Sequence, residues 1–245
     1  QTLNAEHAYA RAEGVVTWLL HCDVDEFLHS DNEISAALDG LPDDCDVARV
    51  RPSEALSTEG LHDTDPEVTW FKTFIPAWKK RREIVSEIYP TFGDHIKGGF
   101  LSHVAGKVFI RTGRPDMRIR IHNVFRGEEA NPGQVELVEM ALLHVHSSGW
   151  THWGETFAYR HRKGSYRADL GSALPADQGG MTLHQLFDML SQEPNGLREF
   201  YEEVCLATPE LRERLEAHGM LQAHRLDLEQ KRQGHFPDFG SIVSK

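Results

Sequence analysis

Apolar and polar positions follow two different periods along this chain, and the change falls near residue 148. Before it, short apolar runs and period-2 alternation predict strands. Val15 to Leu20 is a buried-strand pattern, too short to span a membrane. Asp46-Val47-Ala48-Arg49-Val50-Arg51 alternates and predicts a second strand over 47–50, stopped by Pro52. Ser102 to Arg111 predicts a strand interrupted by Gly106, Met117 to Val124 a clean alternating strand, and Leu137 to His146 another. Residues 2–13 predict a helix ended by Gly14. A short helix carries Ile34, Ala37 and Leu38, capped by Ser30 or Asp31 and closed by Gly40 and Pro42.

After residue 148 the period becomes helical. Trp150, Trp153, Phe157 and His161 share a face. Leu183, Leu186, Phe187 and Leu190 repeat at i, i+3, i+4, i+7, as do Leu197, Phe200, Tyr201 and Val204. Thr208-Pro209 caps and opens a further helix that ends near Gly219. The pattern therefore predicts an α/β core over residues 1–148, a helical region over 149–232 packed on it, and a tail over 233–245. Residues 53–69 and 92–99 read as loops. Trp70, Phe71, Phe74, Ile75 and Trp78 form an aromatic patch that core packing explains better than sugar stacking.

Composition narrows the function classes. The chain has 245 residues, 40% hydrophobic and 26% charged, with a formal net charge of −12. That balance argues against a general nucleic-acid binder, which carries a basic footprint. The single basic run, Lys79-Lys80-Arg81-Arg82, suits a solvated helix start or a peripheral contact with phosphate or anionic lipid. The three cysteines (Cys22, Cys45 and Cys205) are widely spaced and show no zinc or disulfide pattern. A cytoplasmic location is the simplest expectation, with no transmembrane segment.

The densest chemistry is Trp18-Leu19-Leu20-His21-Cys22-Asp23-Val24-Asp25-Glu26-Phe27-Leu28. In an extended chain Asp23 and Asp25 point to one side and Glu26 to the other. Two carboxylates so close repel unless a cation lies between them, and hard oxygen ligands suit Mg²⁺ or Mn²⁺. A polar strand exit with an Asp capping the next helix uses the same residues. His144-Val145-His146 is the second constellation, two imidazoles on one strand face where either can ligate a metal. Asp94, between glycines on a loop, is a candidate general base or the anchor of an Asx-turn. Lys107 and Arg111, four apart on a strand, are placed to neutralise a phosphate or to form surface ion pairs.

The block Trp18 with Asp23-Val24-Asp25-Glu26-Phe27-Leu28 resembles the Trp-(apolar)-Asp-x-Asp-Glu-Phe motif of family 2-like glycosyltransferases with a GT-A fold. Ser102-His103-Val104-Ala105-Gly106-Lys107, Arg111-Thr112-Gly113, Ile121-His122-Asn123, His144-x-His146 and Arg162-Lys163-Gly164-Ser165-Tyr166-Arg167 are similar, in the same order, to the family's downstream blocks. The resemblance implies a GT-A-like mixed sheet flanked by helices and transfer of a sugar, with inversion, from a nucleotide-sugar donor to a glycan or other hydroxyl acceptor. It implies a divalent ion held by Asp25 and Asp23, with His144 or His146 completing its shell. Asn4, Asp23, Glu26, Lys107 and Arg111 would then contact the donor, and a carboxylate such as Asp94 would act as base. In such enzymes nucleotide-binding strands precede the motif, so an upstream region is expected beyond Gln1. Two other readings stay open: a haloacid-dehalogenase-like phosphatase with Asp23 as nucleophile and Asp25 as acid/base, and a non-catalytic glycan-binding remnant of a transferase.

Overall fold

The computed structural model describes residues 2–75 and 80–237. Trp78 and Lys79 of the aromatic patch and basic run, and the tail beyond residue 237, lie outside the described residues. In chain order the elements are α1 (Thr2–Ala12), β1 (Trp18–Leu20), β2 (Glu26–Ser30), α2 (Ile34–Asp39), β3 (Val47–Ala55), β4 (Val68–Thr73), α3 (Arg81–Ile88), β5 (Lys107–Arg111), β6 (Met117–Ile119), β7 (Val124–Arg126), β8 (Glu129–Ala130), β9 (Val135–His144), α4 (Trp150–Arg162), α5 (Leu183–Leu190), α6 (Gly196–Val204), α7 (Pro209–Ala217), β10 (Leu221–Arg225) and α8 (Leu228–His235). This is a mixed α/β fold, as the sequence pattern predicts.

Seven strands form one curled mixed sheet, and β6, β7 and β8 form a small separate one. The organising strand is β3. Its first half pairs with β5 and its last three residues with β4, both antiparallel, while β9 runs parallel along its other side. Pro52 was expected to end this strand, and it does not. It falls between the last β5 partner, at Val50, and the first β4 partner, at Ser53. At such a changeover between ladders a missing N–H is tolerated.

Other boundaries moved for local reasons. Val15 and Val16 are exposed, and β1 begins only at Trp18. The expected strand over 117–124 is a hairpin: Arg120 N–H donates to the Asn123 carbonyl at 2.8 Å, and Met117 pairs with Arg126. The strand expected from Ser102 begins only at Lys107, after Gly106. Gly106 has φ +69°, and a Cβ there would lie 2.0 Å from the Val50 carbonyl oxygen, so the turn requires glycine. Four strands were not expected. β2 follows the acidic cluster directly and pairs with β9, β4 runs from the expected loop into the aromatic patch and pairs with β3, β8 closes the small sheet against β7, and β10 returns from the helical region to pair with β4.

The largest core lies among the helices, where Trp153, Tyr166, Phe187, Phe200 and Tyr201 meet Ile88, Tyr89 and Leu101 with almost no exposure. At 25 cal/mol per Å² of apolar surface, each such ring contributes roughly 2–3 kcal/mol on burial. The helical faces read from the sequence are the ones buried here: Leu186, Phe187 and Leu190 on α5, and Phe200, Tyr201 and Val204 on α6. Phe71 and Ile75 of the aromatic patch are buried as well, as core packing predicts. On the sheet, α1 covers Val47, Val108 and Ile110, while α2 covers Ala48, Val50, Phe109 and Leu142.

Candidate functional site

Register alone assembles a row of ionisable side chains across four strands. Glu26 on β2 stands opposite His144 on β9, His144 opposite Glu54 on β3, and Glu54 opposite Lys72 on β4. Directly opposed residues project to the same face of a sheet, so the four side chains share one side. All four are buried. Such a row persists only if each charge is paired.

It is. Lys72 Nζ lies 3.0 Å from Glu54 Oε2. The Leu101 and Ser102 N–H groups donate to the two Glu54 oxygens at 3.0 Å each. Though burial opposes ionisation of Glu54, the Lys72 ammonium and these donors hold its pKa well below the usual range. Glu54 was not anticipated, because residues 53–69 read as a loop once Pro52 was taken to end the strand. The alternation Val50, Pro52, Glu54 is the signal that would have found it.

The Asp-x-Asp motif lies in a turn between β1 and β2, closed by Glu26 N–H donating to the Asp23 carbonyl at 3.1 Å. The expectation that Asp23 and Asp25 point together from an extended strand is therefore corrected. The turn separates them. Asp23 takes an ion pair from the fully buried Lys107 at 2.7 Å, and Glu26 shares that ammonium at 3.4 Å. Asp25 turns instead toward His144, Nε2 to Oδ2 3.3 Å.

His144 is held from both sides, its Nδ1 lying 3.2 Å from Ser102 Oγ. Burial disfavours its charge, but the Asp25 hydrogen bond and the Glu54 carboxylate outweigh that and raise its pKa. Asp25 is lowered in turn, first by the His144 hydrogen bond. His146 lies just past the end of β9, and its ring is centred 5.1 Å from that of His144. Burial holds it neutral, with a pKa of about 3, and its Nε2 lies 3.3 Å from the Tyr166 hydroxyl.

His103 completes the cluster. Its Nε2 is 4.0 Å from Glu26 Oε1, and its ring packs 3.7 Å from that of His122. His122 Nδ1 donates to the Gly106 carbonyl at 3.0 Å. The buried Arg49 guanidinium binds the Ala105 and His122 carbonyls at 2.6 and 3.1 Å and so fixes both loops. A cleft of about 290 Å³ opens beside the cluster, lined by Ser102, His103, Tyr166, Arg167, Leu183 and His184 among others. That is the lower end of the range for small-molecule sites.

For a metal, candidate ligand atoms of Glu54, His144 and His146 lie within 4.8 Å of one another. Glu54 already accepts three donors, which leaves about one lone-pair direction free. Asp25 and His144, with atoms 3.3 Å apart, stand near the ~3 Å edge of an octahedron with ~2.1 Å metal–ligand bonds. The expected set of Asp23, Asp25, His144 and His146 is thus assembled in part: Asp25 bonds to His144 and His146 lies beside His144, but the carboxylate grouped with both histidines is Glu54, and Asp23 is tied to Lys107.

The other candidates lie apart. Arg111, at the far end of β5 from Lys107, donates to the Cys45 and Pro42 carbonyls at 2.8 and 2.9 Å and stacks on Trp18. Asn4 is exposed on α1, which packs on β6. Asp94 is half exposed beside α3, accepting from Ser86 Oγ at 3.2 Å and pairing with Arg82 at 3.6 Å. All three cysteines are free thiols, and no helix of the described residues is long and apolar enough to cross a membrane. Comparison of the chain with protein-family models, curated proteins and solved structures finds no match.

Proposed function

We propose that this chain carries the metal-binding part of a glycosyltransferase that moves a sugar from a nucleotide-sugar donor to a glycan or other hydroxyl acceptor, on a GT-A-like core. One observation carries the reading: the motif carboxylate Asp25 bonds to His144 of the buried His144–His146 pair, and those two imidazoles touch Ser102 and Tyr166, which line the neighbouring cleft. The donor set of one carboxylate and two imidazoles fits Mn²⁺ better than Mg²⁺, which favours oxygen ligands alone. When bound there, the cation supplies the positive charge that neutralises a leaving diphosphate.

The chain's own residues supply the rest. Ser102 Oγ and the Glu54 carboxylate orient and polarise His144 from behind, as outer partners of a metal-binding imidazole do. Lys107 restrains Asp23 and Glu26 and keeps the acidic turn closed around one charge. The cleft wall of His103, Tyr166 and Arg167 presents ring faces and donors suited to a hydroxylated ligand. Inversion and a carboxylate base belong to this reading; Asp94, the candidate base, accepts from Ser86 and pairs with Arg82 beside α3.

The test is calorimetric titration of Mn²⁺, then of UDP- and GDP-sugars, into the wild-type chain and Asp25→Ala. Removal of Asp25 is expected to weaken Mn²⁺ binding at least ~10-fold and to abolish metal-dependent donor binding. Asp94→Asn is the control, with metal binding unchanged. Equal Mn²⁺ affinity in wild type and Asp25→Ala would defeat the reading, and phosphatase activity without donor binding would move the site to the haloacid-dehalogenase alternative.

A further inference from the structure

A second group of ligating side chains stands on the helical side of the cleft, outside the cluster just described. His161 occupies the last turn of α4, and His184 and Asp188 stand one turn apart on α5. His161 Nε2 lies 3.1 Å from Asp188 Oδ1, and His184 Nε2 lies 3.5 Å from Oδ2. The two rings stack with centroids 4.1 Å apart. Candidate ligand atoms of all three residues fall within 4.8 Å of one another.

The hydrogen bonds behind His184 fix its tautomer. Its Nδ1 lies 3.1 Å from the His161 carbonyl and 3.1 Å from the Tyr166 carbonyl. A carbonyl oxygen only accepts, so Nδ1 carries a proton, and Nε2, facing Asp188, is the nitrogen left to ligate a metal. This is how metal-binding imidazoles are commonly held, with the second nitrogen donating to a backbone carbonyl. The first turn of α5 is itself anchored. Thr182 and Gln185 form a capping box whose mutual bonds are 3.1 and 3.0 Å. The histidines are mostly buried and Asp188 is half exposed, so the group is preorganised on the inside and open on the outside.

We propose that His161, His184 and Asp188 form a Zn²⁺ site. Two imidazoles and a carboxylate suit a borderline ion, and three protein ligands leave a fourth tetrahedral position open to solvent. His161 Nε2 faces the His184 carbonyl at 3.3 Å as well as Asp188, so it carries a proton in the metal-free chain. Ligation through it moves that proton to Nδ1 of the same ring. The bound ion replaces a hydrogen-bonded bridge between α4 and α5 with coordinate bonds and so stiffens the cleft wall that His184 and Tyr166 share. This proposal stands whether or not the transferase reading holds.

The experiment uses the full chain stripped with chelator and titrated with Zn²⁺, following the imidazole ¹⁵N resonances of wild type. The expected result is a shift of the His161 and His184 ring nitrogens at one equivalent of Zn²⁺ for this site. Asp188→Asn and His184→Gln should each weaken that binding ~10-fold or more, while Asp25→Ala should leave it in place. Unmoved His161 and His184 nitrogens at saturating Zn²⁺ would overturn the proposal, as would unchanged affinity in Asp188→Asn. Asp188 is half exposed, so its substitution is compatible with folding, and the wild-type resonances decide the matter even if His184→Gln does not fold.

Discussion

Lys72 and Glu54 face each other across the β3/β4 ladder, both buried, with Nζ 3.0 Å from Oε2. The same carboxylate holds the Leu101 and Ser102 N–H groups, and Ser102 in turn touches His144. One ion pair therefore connects the sheet to the loop that forms the cleft wall.

Breaking that pair from the lysine side leaves a buried, uncompensated carboxylate. Lys72→Met is expected to destabilise the chain by about 3–5 kcal/mol, read as a lower urea midpoint. Adding Glu54→Leu should restore only part of this, because the Leu101 and Ser102 N–H groups then lose their acceptor. A Lys72→Met variant as stable as wild type would contradict the ion pair.

Gly106 sets the start of β5 and the path of the His103 loop. Ala at this position combines a left-handed φ with a clash against the Val50 carbonyl. Gly106→Ala should cost about 3 kcal/mol or more, visible as a fall in Tm. A loss below about 0.5 kcal/mol would contradict this backbone path.

Acid should unfold the chain earlier than its carboxylates alone require. Burial holds His146 down at about 3, and burial together with the neighbouring His122 and His144 does the same to His103. Both groups bind protons near pH 6.5 when unfolded, so the stability they contribute is present above that value and is lost as pH falls toward 3. Each contributes a slope of about 1.4 kcal/mol per pH unit within that window. His144 has the opposite sign: its raised pKa adds stability below 6.5 that disappears as pH rises through its folded value. Urea midpoints measured from pH 8 to 4 should fall most steeply below pH 6, and His103→Asn should flatten the fall. A flat profile between pH 6 and 4.5 would show that these histidines are not buried neutral.

The sequence by itself determined most of the helices, because their signals are local, though α8 runs into the stretch from residue 233 that reads as a tail. The apolar faces of α5 and α6, the Thr208-Pro209 start of α7 and the Gly-terminated α1 all depend on neighbours within a turn or two. It also singled out Asp25 and His144, which bond to each other, and His146 beside them, because their residue types are ones that can ligate a metal. What only the tertiary structure decided was partnership. Pro52 lies inside a strand because the neighbour on one side of β3 changes there, and no property of residues near Pro52 encodes that change. Asp23 and Asp25 part company because Lys107 and His144 arrive from β5 and β9, far along the chain. Glu54 joins the site through register with His144, a pairing set by whole strands, since a sheet fixes its contacts by long-range hydrogen bonds whereas a helix fixes its own within four residues.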